Sequence, residues 1–256
     1  AYTLKWDAWN RLVEVIGAST VQTNRYDGLA RRITEDDQTN VRHFYYNDQW
    51  RSVEEYLDSD LDHPQRRYLW GARSRWDMIL RQRDSDDNDS LDEELHVLSD
   101  AMDPVAIVDD SSAVAQRMEY SAFGQTTFMD ASFVAAGDSH EWNWLFHGEF
   151  RDDATGLYNY GYRFYHNKLG RWLSRDPLSL PYERNSYRFV GNKSILFLDF
   201  VGLEGITIEA TNGNARVECD NNNLWLAVNV KSQGLNPGSE YTIRTKSKYS
   251  WTSKSC

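Results

Sequence analysis

The sequence predicts an all-β fold made of antiparallel hairpin repeats, and three observations carry that expectation. An aromatic residue followed by Asp or Asn recurs at Trp6-Asp7, Tyr26-Asp27 and Tyr46-Asn47, with Arg11, Arg31 and Arg51 at the same offset after each. Aromatic residues make up 14% of the 256-residue chain, including 10 Trp and 15 Tyr, and such side chains favour pleated, half-buried surfaces. Short alternating apolar runs are separated by Asp, Asn and Gly, the residues that hairpin turns use.

Taken in order, WDAWNRL, YDGLARRI and YNDQWRSV are three copies of one unit. Such a period marks a repeat architecture, in which each unit buries its face against the next. Tyr2, Leu4 and Trp6 alternate with polar residues, and Leu12, Val13 and Val15 do so more loosely. Asp-Ala-Trp-Asn and Asp-Gly-Leu-Ala fall where a hairpin must reverse. After Tyr68-Leu69-Trp70-Gly71 the repeats become irregular, and strands are expected at His96–Leu98, Val105–Val108, Ala113–Tyr120 and Thr126–Met129. Tyr158, Tyr160, Tyr162 and Phe164 alternate at period two, which predicts one face of a single strand. Beyond Leu203, ITIEAT, ARVECD, LWLAVNV and YTIRTK alternate between Asn-Gly, Asn-Asn-Asn and Asn-Pro-Gly breaks, which reads as a separate small β module.

The formal net charge is −11 and the mean hydropathy −0.70. An acidic chain repels phosphate backbones, so no nucleic-acid partner is expected for the whole molecule. No apolar run approaches the roughly 20 residues that span a bilayer as a helix, so no membrane span is expected. The chain opens inside a repeat without an initiating Met or a signal peptide, which is expected of a processed product or a piece of a longer protein. Cys219 and Cys256, confined to the last fifth, suggest a disulfide staple in an oxidising compartment, the alternative being two unpaired thiols. The six His all precede residue 167 and none has close metal-type spacing. His147 and His166 are assigned to packing. No GxSxG elbow, P-loop or HExxH helix is present.

Residues 84–95 read DSDDNDSLDEEL. Asp84, Asp86 and Asn88 occupy positions 1, 3 and 5 of an EF-hand-type loop, Ser90 offers a carbonyl at position 7, and Asp92 stands at position 9. Asp89 replaces the usual Gly at position 6, although Asp tolerates left-handed backbone better than most residues. Leu95 stands at position 12, so a bidentate ligand would have to come from Glu93 or Glu94. A calcium site at Asp84, Asp86, Asn88, Ser90 and Asp92 is one reading; a solvated acidic loop is the other.

From FHGEFRDDATGLYNYGYRFYHNKLGRWLSRDP at residues 146–177 to NSYRFVGNKSILFLDFVGL at 185–203, the chain closely resembles the core segment of RHS-repeat (YD-repeat) proteins. MEYSAFGQ at 118–125 is similar to a hairpin of the same family. The resemblance implies three segments: YD-type hairpin repeats over 1–141, an RHS-associated core over 142–203, and a variable C-terminal β module over 204–256. It implies part of a spiral β-shell in a secreted or surface-displayed protein, extracellular in location. The partners implied are its own C-terminal segment and upstream repeats of a parent chain, or further copies of itself.

The same resemblance implies self-cleavage by two Asp, from a DPxG and a DPxGL motif. Arg175-Asp176-Pro177 matches the first, and Asp199-Phe200-Val201-Gly202-Leu203 the second. Asp176 and Asp199 would form the carboxylate pair, Arg175 would stabilise the ionised partner or bridge to the shell, and the cut would fall between Leu203 and Glu204. Two close carboxylates share a proton, so one can activate water while the other polarises the scissile carbonyl. Ser179 stands in place of the first motif's Gly, and Phe200 in place of the second motif's Pro. At most the chain is then an intramolecular aspartyl-type autoprotease carrying a toxin-like module. The alternative is an extracellular structural or adhesive repeat protein with a degenerate cleavage site.

Overall fold

The computed structural model describes residues 2–18, 21–72, 76–100, 103–177, 185–192, 194, 199 and 202, and strand backbone at 198, 205–206, 215–220, 223–231 and 240–246. It divides into two compact units, Ala1–Arg175 and Asp176–Cys256.

The first unit contains one twelve-stranded antiparallel sheet whose strands follow chain order. They are β1 (Thr3–Trp6), β2 (Leu12–Ile16), β3 (Val21–Tyr26), β4 (Arg32–Asp36), β5 (Val41–Tyr46), β6 (Ser52–Leu57), β7 (Arg66–Trp70), β8 (Met78–Arg83), β9 (Glu93–Asp100), β10 (Asp103–Val108), β11 (Val114–Tyr120) and β12 (Thr126–Met129). A second, four-stranded sheet follows: β13 (Phe150–Arg151), β14 (Tyr158–Asn159), β15 (Phe164–His166) and β16 (Arg171–Trp172). The expected all-β hairpin architecture is what forms.

One turn explains the repeat. In the first copy the Asp7 carboxylate accepts the backbone N–H of Trp9 and of Arg11, both at 2.9 Å, and the Arg11 Nε at 2.7 Å. Asn10 takes φ +66°, and the β1–β2 register shifts at Lys5/Trp6. This is a short hairpin loop closed by an Asx side chain, with a left-handed residue and a bulge at its end. Asp27 and Asn47 close their loops in the same way. So do Asp109 and Asp130 further along.

The aromatic and the Arg of the motif link one copy to the next. The Tyr26 hydroxyl donates to the Leu12 carbonyl at 2.7 Å, and Tyr46 does the same to Arg32 at 2.8 Å. The Arg11 guanidinium lies 5.1 Å from the Tyr26 ring centroid, and Arg31 lies 5.4 Å from that of Tyr46. Each Arg is thus held by the Asp of its own turn and lies over the aromatic of the following one, a cation–π contact.

Residues 141–173 pack on one face of the sheet and touch strands along its whole width. Leu157 and Phe164 pack with Leu12 and Val15 of β2. Phe150 meets Phe44 of β5 edge-on at 5.5 Å, and Trp144 meets Tyr68 of β7 at 5.7 Å. The Arg81 guanidinium of β8 lies 4.7 Å from the Trp142 ring. Phe146 and Tyr158 approach β11 and β12 through Tyr120 and Thr126. The sheet therefore curls around an aromatic plug, and Trp142, Tyr158, Tyr160, Tyr165 and Trp172 are fully buried.

The single strand expected over Tyr158–Phe164 is instead a hairpin. Tyr158 pairs with Tyr165 and Asn159 with Phe164, and the chain reverses at Gly161, whose φ is +100°. Tyr162 sits on that turn and packs against Trp50 at 5.0 Å, so the period-two spacing spans a reversal.

In the second unit, β17 (Leu198–Asp199) pairs with β18 (Gly205–Ile206). A three-stranded meander follows, β19 (Ala215–Asp220), β20 (Asn223–Lys231) and β21 (Glu240–Lys246), where ARVECD, LWLAVNV and YTIRTK are expected to form strands; the expected ITIEAT strand lies mostly outside the described residues. Among the described residues no helix is long and apolar enough to cross a membrane.

Candidate functional site

Asp176 and Asp199, the expected carboxylate pair, both belong to the second unit and both are buried, at 7% and 1% exposure. They are the only carboxylates among that unit's described side chains. The Asp176 N–H donates to the Ser186 carbonyl at 3.2 Å. Asp199 lies on β17, in register with Gly205 of β18. Gly205 follows directly after Glu204, so Asp199 stands across the ribbon from the second residue past the expected cut. Gly202 takes φ +73°, the left-handed region that Gly enters without a Cβ penalty. Arg175 closes the first unit with an exposed side chain, and its carbonyl accepts the Asn10 Nδ2 at 3.1 Å. Ser179, Phe200, Val201, Leu203 and Glu204 lie outside the described residues.

The acidic loop lies between β8 and β9. Asp84, Asp86 and Asp92 bring one carboxylate oxygen each to within 4.8 Å of the others. Asp84 is buried, while Asp86, Asn88, Ser90 and Asp92 are exposed. The Asp84 carboxylate accepts the N–H of Asn88 at 3.1 Å and of Asp89 at 2.9 Å. Asp92 accepts the Ser85 N–H at 2.7 Å. Asp89, at the expected Gly position, takes φ +66°. Glu93 is committed elsewhere: it binds Arg81 at 2.5 Å and Arg83 at 3.0 Å. The disulfide expectation falls largely outside the described residues; Cys219 is placed only as a backbone position on β19, opposite Leu224.

The plug and the sheet meet through a buried ionic cluster that the sequence reading did not foresee. Arg32 Nη1 donates to Asp152 Oδ2 at 2.8 Å, and Gln22 Nε2 donates to the same oxygen at 2.7 Å. Asp152 Oδ1 accepts the Thr155 N–H and hydroxyl. Burial raises the Asp152 pKa, but the Arg32 charge and these donors outweigh it and hold the carboxyl below its usual range. Glu35, 3.0 Å from Arg32, goes the other way: burial dominates and pushes it up to about 7. The only signal available in sequence was an Asp-Asp-Ala-Thr-Gly turn, with nothing to connect it to an Arg 120 residues earlier.

A curled hairpin sheet, closed by aromatic-Asp turns and filled by an aromatic plug, defines a YD-repeat shell. A family model described as Teneurin YD-shell matches residues 7–195, and the chain belongs to that family. It is similar to double-stranded DNA deaminase toxin A of Burkholderia cenocepacia (strain H111), at 30% identity over 102 residues, which is 40% of this chain and 7% of that protein. It is also similar to toxin subunit YenC2 of Yersinia entomophaga, at 34% identity over 113 residues, covering 42% and 11%. The chain thus spans only a small part of the relatives' length. Among solved structures, TcdB2-TccC3 matches with a TM-score of 0.57 and 21% identity over 79% of this chain and 10% of that one. TcdB2-TccC3 without its hypervariable C-terminal region gives 0.59 and 20%, with the same coverage. At these identities the likeness concerns the fold.

Proposed function

We propose that this chain is the C-terminal part of a secreted or surface-displayed RHS-repeat protein, whose shell carries residues 204–256 as a separate module and releases it by self-cleavage between Leu203 and Glu204. Asp176 and Asp199 act on the scissile carbonyl, one activating water and the other polarising the carbonyl oxygen. The observation that carries the reading is the β17–β18 register. It sets Asp199, whose side chain is buried as that of Asp176 is, opposite Gly205, the second residue past the cut. Toxin relatives, and a neighbour whose C-terminal region is hypervariable, support a carried module. Intact-mass measurement tests this. Wild type should yield fragments ending at Leu203 and starting at Glu204, and Asp176→Asn and Asp199→Asn should stay whole. A wild type as intact as Asp199→Asn refutes self-processing.

Phe200, in place of the motif's Pro, favours a second reading, in which the shell is scaffold only and the tail is structural or adhesive. Growth arrest on expression of the full chain, absent when it is truncated at Leu203, argues against that reading.

We also propose that the loop following β8 binds calcium. The gathering of the Asp84, Asp86 and Asp92 oxygens supports this, since a hard divalent ion would relieve their mutual repulsion.

A further inference from the structure

Outside these sites, a nitrogen ligand and two carboxylates gather at Asp60, His63 and Asp89 and at Glu94, His96 and Asp110 among the described residues, the second group on the outward face of the sheet. Glu94 and His96 are two residues apart on β9 and flank buried Leu95, so strand periodicity points both away from the plug. Val108 of β10 is in register with His96, and the turn that follows brings Asp110 back toward it. That turn is fixed: Asp109 accepts the N–H of Ser111 and of Ala113, and Ser112 takes φ +65°. His96 Nε2 lies 3.3 Å from Glu94 Oε1 and 3.6 Å from Asp110 Oδ1, and all three ligand atoms fall within 4.8 Å of one another.

We propose that Glu94, His96 and Asp110 bind a divalent transition-metal ion of the zinc class. The separations fit such an ion. A tetrahedral ion with bonds of about 2.0–2.2 Å sets its ligand atoms about 3.3–3.6 Å apart. Calcium and magnesium favour all-oxygen shells, so the imidazole selects a transition metal.

The outer support is present as well. Gln82 of β8 is the register partner of Glu94, and its Nε2 donates to Glu94 Oε2 at 2.7 Å, fixing the carboxylate with Oε1 toward His96. Three protein ligands leave one position for water or for a donor from another molecule. The ion would tie β9 to the β10–β11 turn.

The test titrates chelator-stripped full-length protein with Zn²⁺, followed by Co²⁺ for its tetrahedral d–d bands. Wild type should take up an equivalent that raises the melting temperature and is lost in both His96→Ala and Glu94→Gln. Gln82→Ala should weaken it about 10–100-fold. His63→Ala, which alters a separate exposed Asp60–His63–Asp89 cluster, should leave it intact. These side chains are at least partly exposed, so the metal-free melting temperatures of the variants should match wild type and show that they fold. No uptake by the stripped protein, or uptake that persists in His96→Ala, overturns the proposal.

Discussion

Arg32 on β4 donates to Asp152 in the plug at 2.8 Å, with both side chains only 1% exposed. The pair joins two segments that carry opposite roles, since the sheet supplies the wall and the plug fills it. The Arg32 guanidinium also lies 5.0 Å from the Phe44 ring centroid and 5.4 Å from that of Phe150. Removing one partner strands a buried charge, and Arg32→Ala should lower stability by about 3–5 kcal/mol in urea denaturation. Arg32→Met combined with Asp152→Asn should recover most of that loss. It removes both charges and keeps an acceptor for Thr155. A double variant no more stable than Arg32→Ala would show that the ion pair itself, rather than charge balance, holds the plug.

Left-handed positions should respond in opposite directions to Gly and Ala. Gly124 takes φ +78°, and a Cβ there would lie 2.4 Å from Cδ1 of the Phe146 ring. Its carbonyl also accepts the Tyr158 hydroxyl and the Asn167 amide. Gly124→Ala combines overpacking with backbone strain and should cost about 2–4 kcal/mol. Ala30 occupies the equivalent turn position in the second repeat at φ +66°. Ala30→Gly relieves strain and gives back part of the gain as unfolded-chain entropy, for a net stabilisation of about 0.5–1 kcal/mol. Thermal and urea melts of the two variants check both signs.

Calcium binding should be read through Asp86 rather than Asp84, because Asp84 also caps the N–H groups of Asn88 and Asp89. Wild type should gain about 2.7 kcal/mol of stability at a hundredfold excess of Ca²⁺ over its Kd, reversed by EDTA. Asp86→Asn should lose that gain and keep the calcium-free melting temperature. Titration calorimetry without heat, together with a melt indifferent to EDTA, would sink the proposal.

The hairpin wall was legible because its signal is local. An Asp closes its own turn within four residues, and the aromatic before it reaches the preceding hairpin, so the twenty-residue spacing carries the physics. The inward face was not legible. On β3 the buried residues are Gln22 and Asn24, which an apolar-inside rule assigns to solvent. They point inward because Asp152 needs Gln22 as a donor and the Leu12 carbonyl needs Asn24. Both requirements come from tertiary contacts, not from neighbours in the strand. The Asp176/Asp199 pair was visible only through family likeness, since nothing in a spacing of 23 residues links two carboxylates. The Glu94–His96–Asp110 group is not legible in sequence, because His96 has no second His at metal-type spacing and its two neighbours are acids, one from a separate turn.

Glu35 should make the fold more tolerant of mild acid than its composition suggests. Burial pushes its carboxyl up to about 7 from 4.5, with Arg32 and Arg42 only partly offsetting the burial and the charges of Asp152 and Asp153 adding to it. The folded state therefore holds this proton more tightly than the unfolded chain does. Between about pH 4.5 and 7 the unfolded state ionises first, so stability falls as pH rises through that window and levels off above it. The full difference is on the order of 3 kcal/mol. Glu35→Gln keeps the shape and removes the titration, so its stability should exceed wild type above pH 7 and converge with it near pH 4.5. Asp103, which burial pushes up to about 6, titrates in the same window in both proteins and cancels in the difference. Urea melts across pH 4.5–8 measure that difference curve, and a flat curve would show that the Arg32 charge offsets the burial of Glu35 in full.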